Sequence, residues 1–377
     1  MIYLAEPNLS GNEKKYLNQC IDTTFVSSVG EFVTRFEEDI CKVSEVKYGT
    51  AVSSGTAGLH MALRACGVGR DELVCIPTFT FIATANAVMH CGAEPWLIDI
   101  DVKSWTMNPE VLEEELLKKA YIREGKVFHK ASGRRVGAIM PVYTLGMPAD
   151  MDEINRIADR YNLPVIADAA AAIGARYKGE NIGGIANATV YSFNGNKTIT
   201  CGGGGAIVSN QERLIKLAKH LATTARCGIA YDHDMVGYNY RMTNLQAAVG
   251  CAQLERVEEF LLKKKYIRNF YNQSFRQVED VLLFPEVKWA DSACWFSGLV
   301  LSDSCKVKKL CEALKEKGIE AKAFWKPIHL QKPYLQAERS DMTISEKTWD
   351  RIITLPSSTG ITETELEYVV SSVKELL

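Results

Sequence analysis

Apolar and polar positions along this chain follow two rhythms. Short apolar runs of three to six residues, bounded by turn-forming residues, alternate with longer segments whose apolar side chains recur every three or four positions. The runs Tyr48–Ser53, Leu73–Ile76, Pro95–Asp99, Gly137–Pro141, Pro164–Asp168, Thr189–Phe193 and Ala206–Val208 read as strands. Between them, helices are predicted from about Thr80 to Cys91, from Pro109 onward, and from Asp150 to Tyr161, with proline well tolerated at a first helical position. Upstream, Phe32, Phe36 and Ile40 mark one face of a helix from Glu31 to about Ser44. Ser10-Gly-Asn-Glu13 has the spacing of a capping box and predicts a helix through Ile21. Strand–helix alternation of this kind implies an α/β fold with a mostly parallel sheet covered on both faces.

One segment breaks the rhythm. Tyr121 to Arg135 is polar and basic, and predicts a surface hairpin centred on Ala131-Ser-Gly133, whose cations are solvated or reach toward an anionic ligand. Beyond Thr243 a long helical stretch, Leu245 to about Tyr271, leads to a smaller α/β unit. That unit comprises Ala293–Leu301, a helix around Val307–Lys317 and a C-terminal helix from Glu363. The expected division is a large domain over residues 1–255 and a small one over 256–377.

Composition narrows the function classes. The chain has 377 residues, 47% apolar and 24% charged, enough for two domains with real cores. A net charge of -2 gives no bias toward nucleic acid or anionic membrane. Eleven cysteines without paired spacing suit free thiols in a reducing cytoplasm, and no cleavable apolar leader is expected at Met1–Pro7.

Three stretches carry candidate chemistry. Lys197 lies in Ser192-Phe-Asn-Gly-Asn-Lys197, between an apolar strand and the glycines 202–205, which allow close backbone approach. Asp168 ends the apolar strand Leu163–Asp168; a carboxylate there needs a partner, either a cationic ring nitrogen or the backbone of the turn it caps. Ser54-Gly55-Thr56 opens a helix whose N-terminus suits a phosphate, though such a turn also serves simply as a cap. It is neither a P-loop nor a dinucleotide-binding fingerprint. Phe79 and Phe81 offer a ring to stack on a planar group or to pack in the core. In a parallel sheet, ligands gather at the carboxyl ends of strands, where all three stretches fall. A phosphate seat, a buried carboxylate and a lysine amine together are what pyridoxal phosphate requires.

Taken jointly, these residues resemble a known family. Ser53-Ser-Gly-Thr-Ala-Gly-Leu59, Pro77-Thr-Phe-Thr-Phe-Ile-Ala-Thr84, Asp168-Ala-Ala, Ser192 to Lys197 with its glycine run, Gly237-Tyr-Asn-Tyr-Arg241 to Ala248, Lys326-Pro-Ile-His329 and Leu355-Pro356 occur in family order. The chain is similar to the DegT/DnrJ/EryC1/StrS nucleotide-sugar aminotransferases, of the aspartate aminotransferase-like fold type I. The resemblance implies a mostly parallel seven-stranded sheet and pyridoxal 5'-phosphate as cofactor. It implies that Lys197 carries the cofactor and moves protons, that Asp168 pairs with the pyridine nitrogen, and that Phe81 lies against the ring. Gly55, Thr56 and Ser192 would bind the phosphate. Asn239 would reach the phosphate of a neighbouring subunit, making the active unit a homodimer, and His329 would stand near the sugar pocket unless it is a hydrogen-bonded loop residue. One departure stands out: the family's polar side chain after Asp-Ala-Ala is Ala171 here.

The implied reaction transfers an amino group from an amino acid, glutamate, to C4 of a nucleotide-linked 4-keto-6-deoxy sugar. The polar insert before Gly137 and Pro356-Ser-Ser-Thr-Gly360 resemble the branch serving UDP-linked 4-keto-6-deoxy-N-acetylhexosamines; the runner-up acceptor is GDP-4-keto-6-deoxymannose. A dehydratase on this scaffold would replace Lys197 with histidine. A cofactor-binding sensor without turnover is the non-enzymatic alternative.

Overall fold

A computed structural model describes residues 1–377. Seven strands form the main sheet: β1 Tyr48–Val52, β2 Leu73–Pro77, β3 Glu94–Ile98, β4 Val136–Ile139, β5 Ile166–Asp168, β6 Ala188–Ser192 and β7 Gly205–Ser209. Hydrogen-bonded ladders give the orders β1-β7-β6-β5 and β3-β2-β4. Parallel bridges from Ile139 to Val165 and from Val142 to Asp168 join the two. The order is therefore β1-β7-β6-β5-β4-β2-β3, and only β7 runs antiparallel to its neighbours. Both faces are covered, so β2 and β7 are buried at every residue and read as continuous apolar runs.

A second sheet is wholly antiparallel. It contains β8 Val281–Leu283, β9 Ser297–Leu301, β10 Lys322–Ala323 and β11 Ile352–Leu355, in the order β8-β9-β11-β10. The helices Val257–Phe275, Ser304–Glu316 and Glu363–Leu376 pack on it around Ile267, Leu310 and Leu366. Residue 255 lies in the short break before the first of these helices. The chain crosses between the sheets more than once. Ile2 bridges to Ile319 beside the second sheet, while Ile328 and Tyr334 join the core that buries Val74 and Ile166 of the first.

Three local expectations are corrected. The helix expected from Leu245 to Tyr271 is two, Asn244–Leu254 and Val257–Phe275. At the break, the Glu255 carboxylate accepts bonds from Tyr16, Asn12 and Arg35, tertiary partners invisible to periodicity. The capping box at Ser10 does not form; the first helix starts at Glu13, whose carboxylate accepts instead from Gly11 N and Gln253 Nε2. The basic hairpin exists, but it turns at Glu124–Gly125, where φ of 52° and 70° suits a tight two-residue turn. Ala131–Gly133 forms a second turn closing on the His129 carbonyl, and Arg134 and Arg135 pair with Glu94 and Glu72 rather than reaching a ligand.

Candidate active site

At one edge of the main sheet, the carboxyl ends of β1, β5 and β6 meet the amino end of β7. Register makes this inevitable: Val52 and Ser192 both pair with Gly205, and Asp168 pairs with Val190, two residues before Ser192. A cavity of about 500 Å³ opens there. Its lining includes Gly55, Thr56, Phe81, Asp168, Ser192 and Lys197, drawn from four separate stretches of sequence.

The helix Gly55–Ala65 aims its N-terminus into this cavity. Ser54 caps it, its hydroxyl accepting from Ala57 N at 3.1 Å. Close approach depends on two glycines. A Cβ on Gly55 would stand 2.7 Å from Ser192 Cβ, and one on Gly205 would stand 2.7 Å from the Ser54 carbonyl carbon. The unspent amides of the first helical turn, with the Thr56 and Ser192 hydroxyls beside them, form an anion seat.

Asp168 is buried at the sheet edge. Its carboxylate accepts from Thr84 Oγ1 at 2.6 Å and from Ala170 N at 3.1 Å, and Thr84 in turn lies 2.7 Å from Thr80 Oγ1. Burial raises its pKa, while the Thr84 and Ala170 donors and the nearby Lys197 amine oppose the rise. The result is a desolvated carboxylate with lone pairs still free for a cation.

Lys197 follows β6 in a loop closed by Cys201 N donating to the Phe193 carbonyl and by Thr200 Oγ1 doing the same. Its side chain keeps some exposure to the cavity, but the amine lies deep, 3.7 Å from the centre of the Trp295 ring. Burial lowers its pKa to about 8, against a smaller upward pull from Asp168. A lysine so placed offers far more neutral, nucleophilic amine near physiological pH than a solvated lysine does.

The second sheet supplies the roof. Trp295, Phe296, Phe324 and Trp325 line the cavity opposite Phe81, which is 55% exposed and lies 5.9 Å from Trp325 between ring centres. Phe79 is fully buried against Phe324, so core packing is its fate. The aromatic roof and the Thr84–Asp168 bond were missed by sequence reasoning. Thr84 closes the Pro77–Thr84 motif at a helix start, a weak signal; Trp295 and Trp325 carried none, because only packing of the two sheets brings them in.

Two sequence candidates stand apart from the cavity. Asn239 is exposed, bridges to Thr223 and does not line the cavity. His329 is buried, with Nδ1 2.7 Å from Thr78 Oγ1 and Nε2 3.2 Å from Glu346, in the position of a loop-fastening residue. Ala171 does line the cavity and presents only a methyl group.

The donor set fits pyridoxal phosphate on independent counts: a helix N-terminus that Gly55 lets close against Ser192, a buried carboxylate with spare lone pairs, and a deep amine over an aromatic face. Comparison with known proteins agrees. Residues 7–374 match the DegT/DnrJ/EryC1/StrS aminotransferase family. A GDP-perosamine synthase of Caulobacter vibrioides is 36% identical, the alignment covering 100% of this chain and 98% of that protein. One from Escherichia coli O157:H7 is 34% identical over 99% of this chain and 98% of its own. The crystal structure of a DegT DnrJ EryC1 StrS aminotransferase from Brucella abortus superposes with a TM-score of 0.88 at 26% identity, covering 97% of this chain and 95% of that one. The fold is that of type I pyridoxal phosphate enzymes, the cofactor is pyridoxal 5'-phosphate and the substrates are nucleotide sugars. The chain belongs to the DegT/DnrJ/EryC1/StrS aminotransferase family.

Proposed function

We propose that this aminotransferase moves an amino group from glutamate to the C4 ketone of GDP-4-keto-6-deoxymannose, giving a perosamine-type product. The observation that carries the reaction is the deep Lys197 amine sharing one cavity with Asp168 and the helix N-terminus at Gly55. The acceptor rests on the relatives: at 34–36% identity over nearly the whole chain, those named GDP-perosamine synthase favour the GDP sugar over the UDP-N-acetylhexosamine that the sequence motifs suggested first.

Bound pyridoxal phosphate supplies an electron sink for the carbanion left when a proton leaves the substrate carbon. The protein supplies the rest. Lys197, neutral above about pH 8, would hold the cofactor through its amine and would be the group that takes and returns a proton at its Nζ. Asp168, its carboxylate fixed by Thr84, would favour the protonated form of the ring nitrogen by charge pairing. Gly55, Thr56 and Ser192, which line the cavity at the helix N-terminus, would hold the phosphate, and Phe81 would pack against the ring. Asn239, exposed and outside its own cavity, acts on the phosphate held by a second copy, so the working unit is a homodimer with shared sites. His329 serves by fastening Thr78, just before the Phe79–Phe81 segment.

The test is amination. Purified protein loaded with cofactor is given glutamate and either GDP-4-keto-6-deoxymannose or the UDP-linked 4-keto-6-deoxy-N-acetylhexosamine, and products are followed by mass spectrometry. Amination of the GDP sugar at a kcat/KM at least ~100-fold higher is expected, within the discrimination that specific polar contacts can supply. The reverse preference restores the UDP reading, and no amination of either sugar removes both.

A further inference from the structure

Lys264 is a buried lysine that lies outside the cavity. It sits on the helix Val257–Phe275 and is 3% exposed. Its Nζ donates to the Trp295 carbonyl at 2.9 Å and to the Ser357 carbonyl at 2.5 Å, and burial lowers its pKa to about 7. One turn further on, Arg268 donates to the Phe296 carbonyl at 2.7 Å and to Ser297 Oγ at 3.1 Å. A single face of this helix therefore clamps the backbone that carries the aromatic roof.

Trp295 continues the connection into the site. Its indole Nε1 donates to the Asn196 carbonyl at 2.7 Å, fixing the residue before Lys197. Its ring lies under the Lys197 amine, 3.7 Å away, and stacks on Phe296 with ring centres 4.1 Å apart. Trp295 thus touches Lys197 twice, through the loop backbone and through the amine. Burying an ammonium to hold a backbone carbonyl is costly, and a well-packed apolar residue would serve stability as well. The arrangement makes sense where the exact position of Trp295 has a function.

We infer that Lys264 is a positioning residue for Lys197, acting through Trp295: its bond to the Trp295 carbonyl sets the ring that shields the Lys197 amine and the indole N–H that holds its loop. The inference rests on Lys197 being the cofactor-bearing lysine and is independent of which sugar is the acceptor. Loosening Trp295 readmits water around the amine. Burial as a whole holds Lys197 below the ordinary lysine range, so water readmitted around the amine moves it back upward.

The experiment reads Lys197 directly in the cofactor-free protein. Acetic anhydride labelling of the Lys197 peptide is measured by mass spectrometry from pH 6 to 11, for wild type, Lys264→Met, Lys264→Arg, Trp295→Phe and the Lys264→Met/Trp295→Phe pair. Lys265→Met, on the same helix but paired with surface Asp291, is the control. In Lys264→Met the labelling midpoint is expected to rise by ~0.5 unit or more, and the loaded enzyme to lose ~10–100-fold in kcat with KM nearly unchanged. Lys264→Arg restores part of both. Trp295→Phe shifts the midpoint the same way, and adding Lys264→Met to it changes little further, because both act through one element. A midpoint that stays in place or drops in folded Lys264→Met overturns the inference, even if that variant melts at lower temperature. Should Lys264→Met not fold, an unshifted midpoint in Trp295→Phe overturns it instead. Normal labelling shifts with no amination of any sugar would fault the substrate reading and leave this one standing.

Discussion

Thr84 and Asp168 are 84 positions apart in sequence and share a 2.6 Å hydrogen bond in which the hydroxyl donates to a buried carboxylate oxygen. The bond ties the helix after β2 to the end of β5, and so joins the two halves of the sheet at the catalytic edge. It also orients the one carboxylate that can face a ring nitrogen.

Thr84→Val removes that donor while keeping the shape. Burial already raises the Asp168 pKa and the Thr84 hydroxyl opposes the rise, so the variant's carboxyl protonates at higher pH than wild type's. Cofactor affinity should fall ~10-fold or more, in line with about 1.5–3 kcal/mol for a hydrogen bond to a charged group. The acid limb of cofactor binding should move to higher pH. A fluorescence titration of the cofactor-free protein across pH checks both, and an unmoved limb would show that Thr84 has no hold on the carboxylate.

Lys197→Met abolishes transamination, with at least a ~10³-fold loss expected for a covalent catalyst. It also stabilises the cofactor-free protein near neutral pH. The sign follows from linkage: the folded amine titrates at about 8 and the unfolded one at 10.5, so the unfolded state binds more protons between them. Wild-type stability therefore carries a penalty on the order of 3 kcal/mol below pH 8, which fades as pH rises toward 10.5. Denaturant melts of variant and wild type should differ most at pH 7 and converge by about pH 10. Equal stability at pH 7 would contradict a desolvated amine.

Gly55→Ala tests the phosphate seat. The added methyl group would lie 2.7 Å from Ser192 Cβ, too close for any real contact, so strand and helix end must part. Overpacking of this kind costs roughly 1–3 kcal/mol. The variant should lose cofactor on dialysis far faster than wild type, and Gly55→Ala with Ser192→Gly should recover part of the loss.

Subunit mixing tests the shared site. Asn239→Ala and Lys197→Ala homodimers should both be nearly inactive. Refolded together, their heterodimers have one site carrying both defects and one intact, so activity reappears at up to about half of wild type per heterodimer, since the sites act separately. If Asn239 acts within its own subunit, mixing restores nothing.

The seven strands were legible because each is a buried apolar run closed by turn residues, a local signal that burial on both faces makes strong. Local reading failed where a distant partner intervened. Glu255, held by Tyr16, Asn12 and Arg35, falls at the break in an otherwise periodic helical stretch, and Gln253 draws Glu13 away from the cap that its spacing suggested. Of the site, Lys197, Asp168 and Gly55 stood out as residues whose types are expensive or unusual at strand ends. The roof did not, for an aromatic residue in a sequence looks the same whether it fills a core or faces a ligand.

Taken alone, then, the order of residues determined the strand–helix succession, the chemical identity of the amine, carboxylate and glycine turn, and with them the cofactor. Tertiary structure decided the environment of each group: which donors hold Asp168, how far burial carries the Lys197 amine from its ordinary pKa, and that Trp295 and Trp325 cover it. The reason is physical. Backbone preference and hydrophobic period act over a few neighbours, whereas desolvation and hydrogen bonding depend on atoms brought near by packing, whatever their distance along the chain.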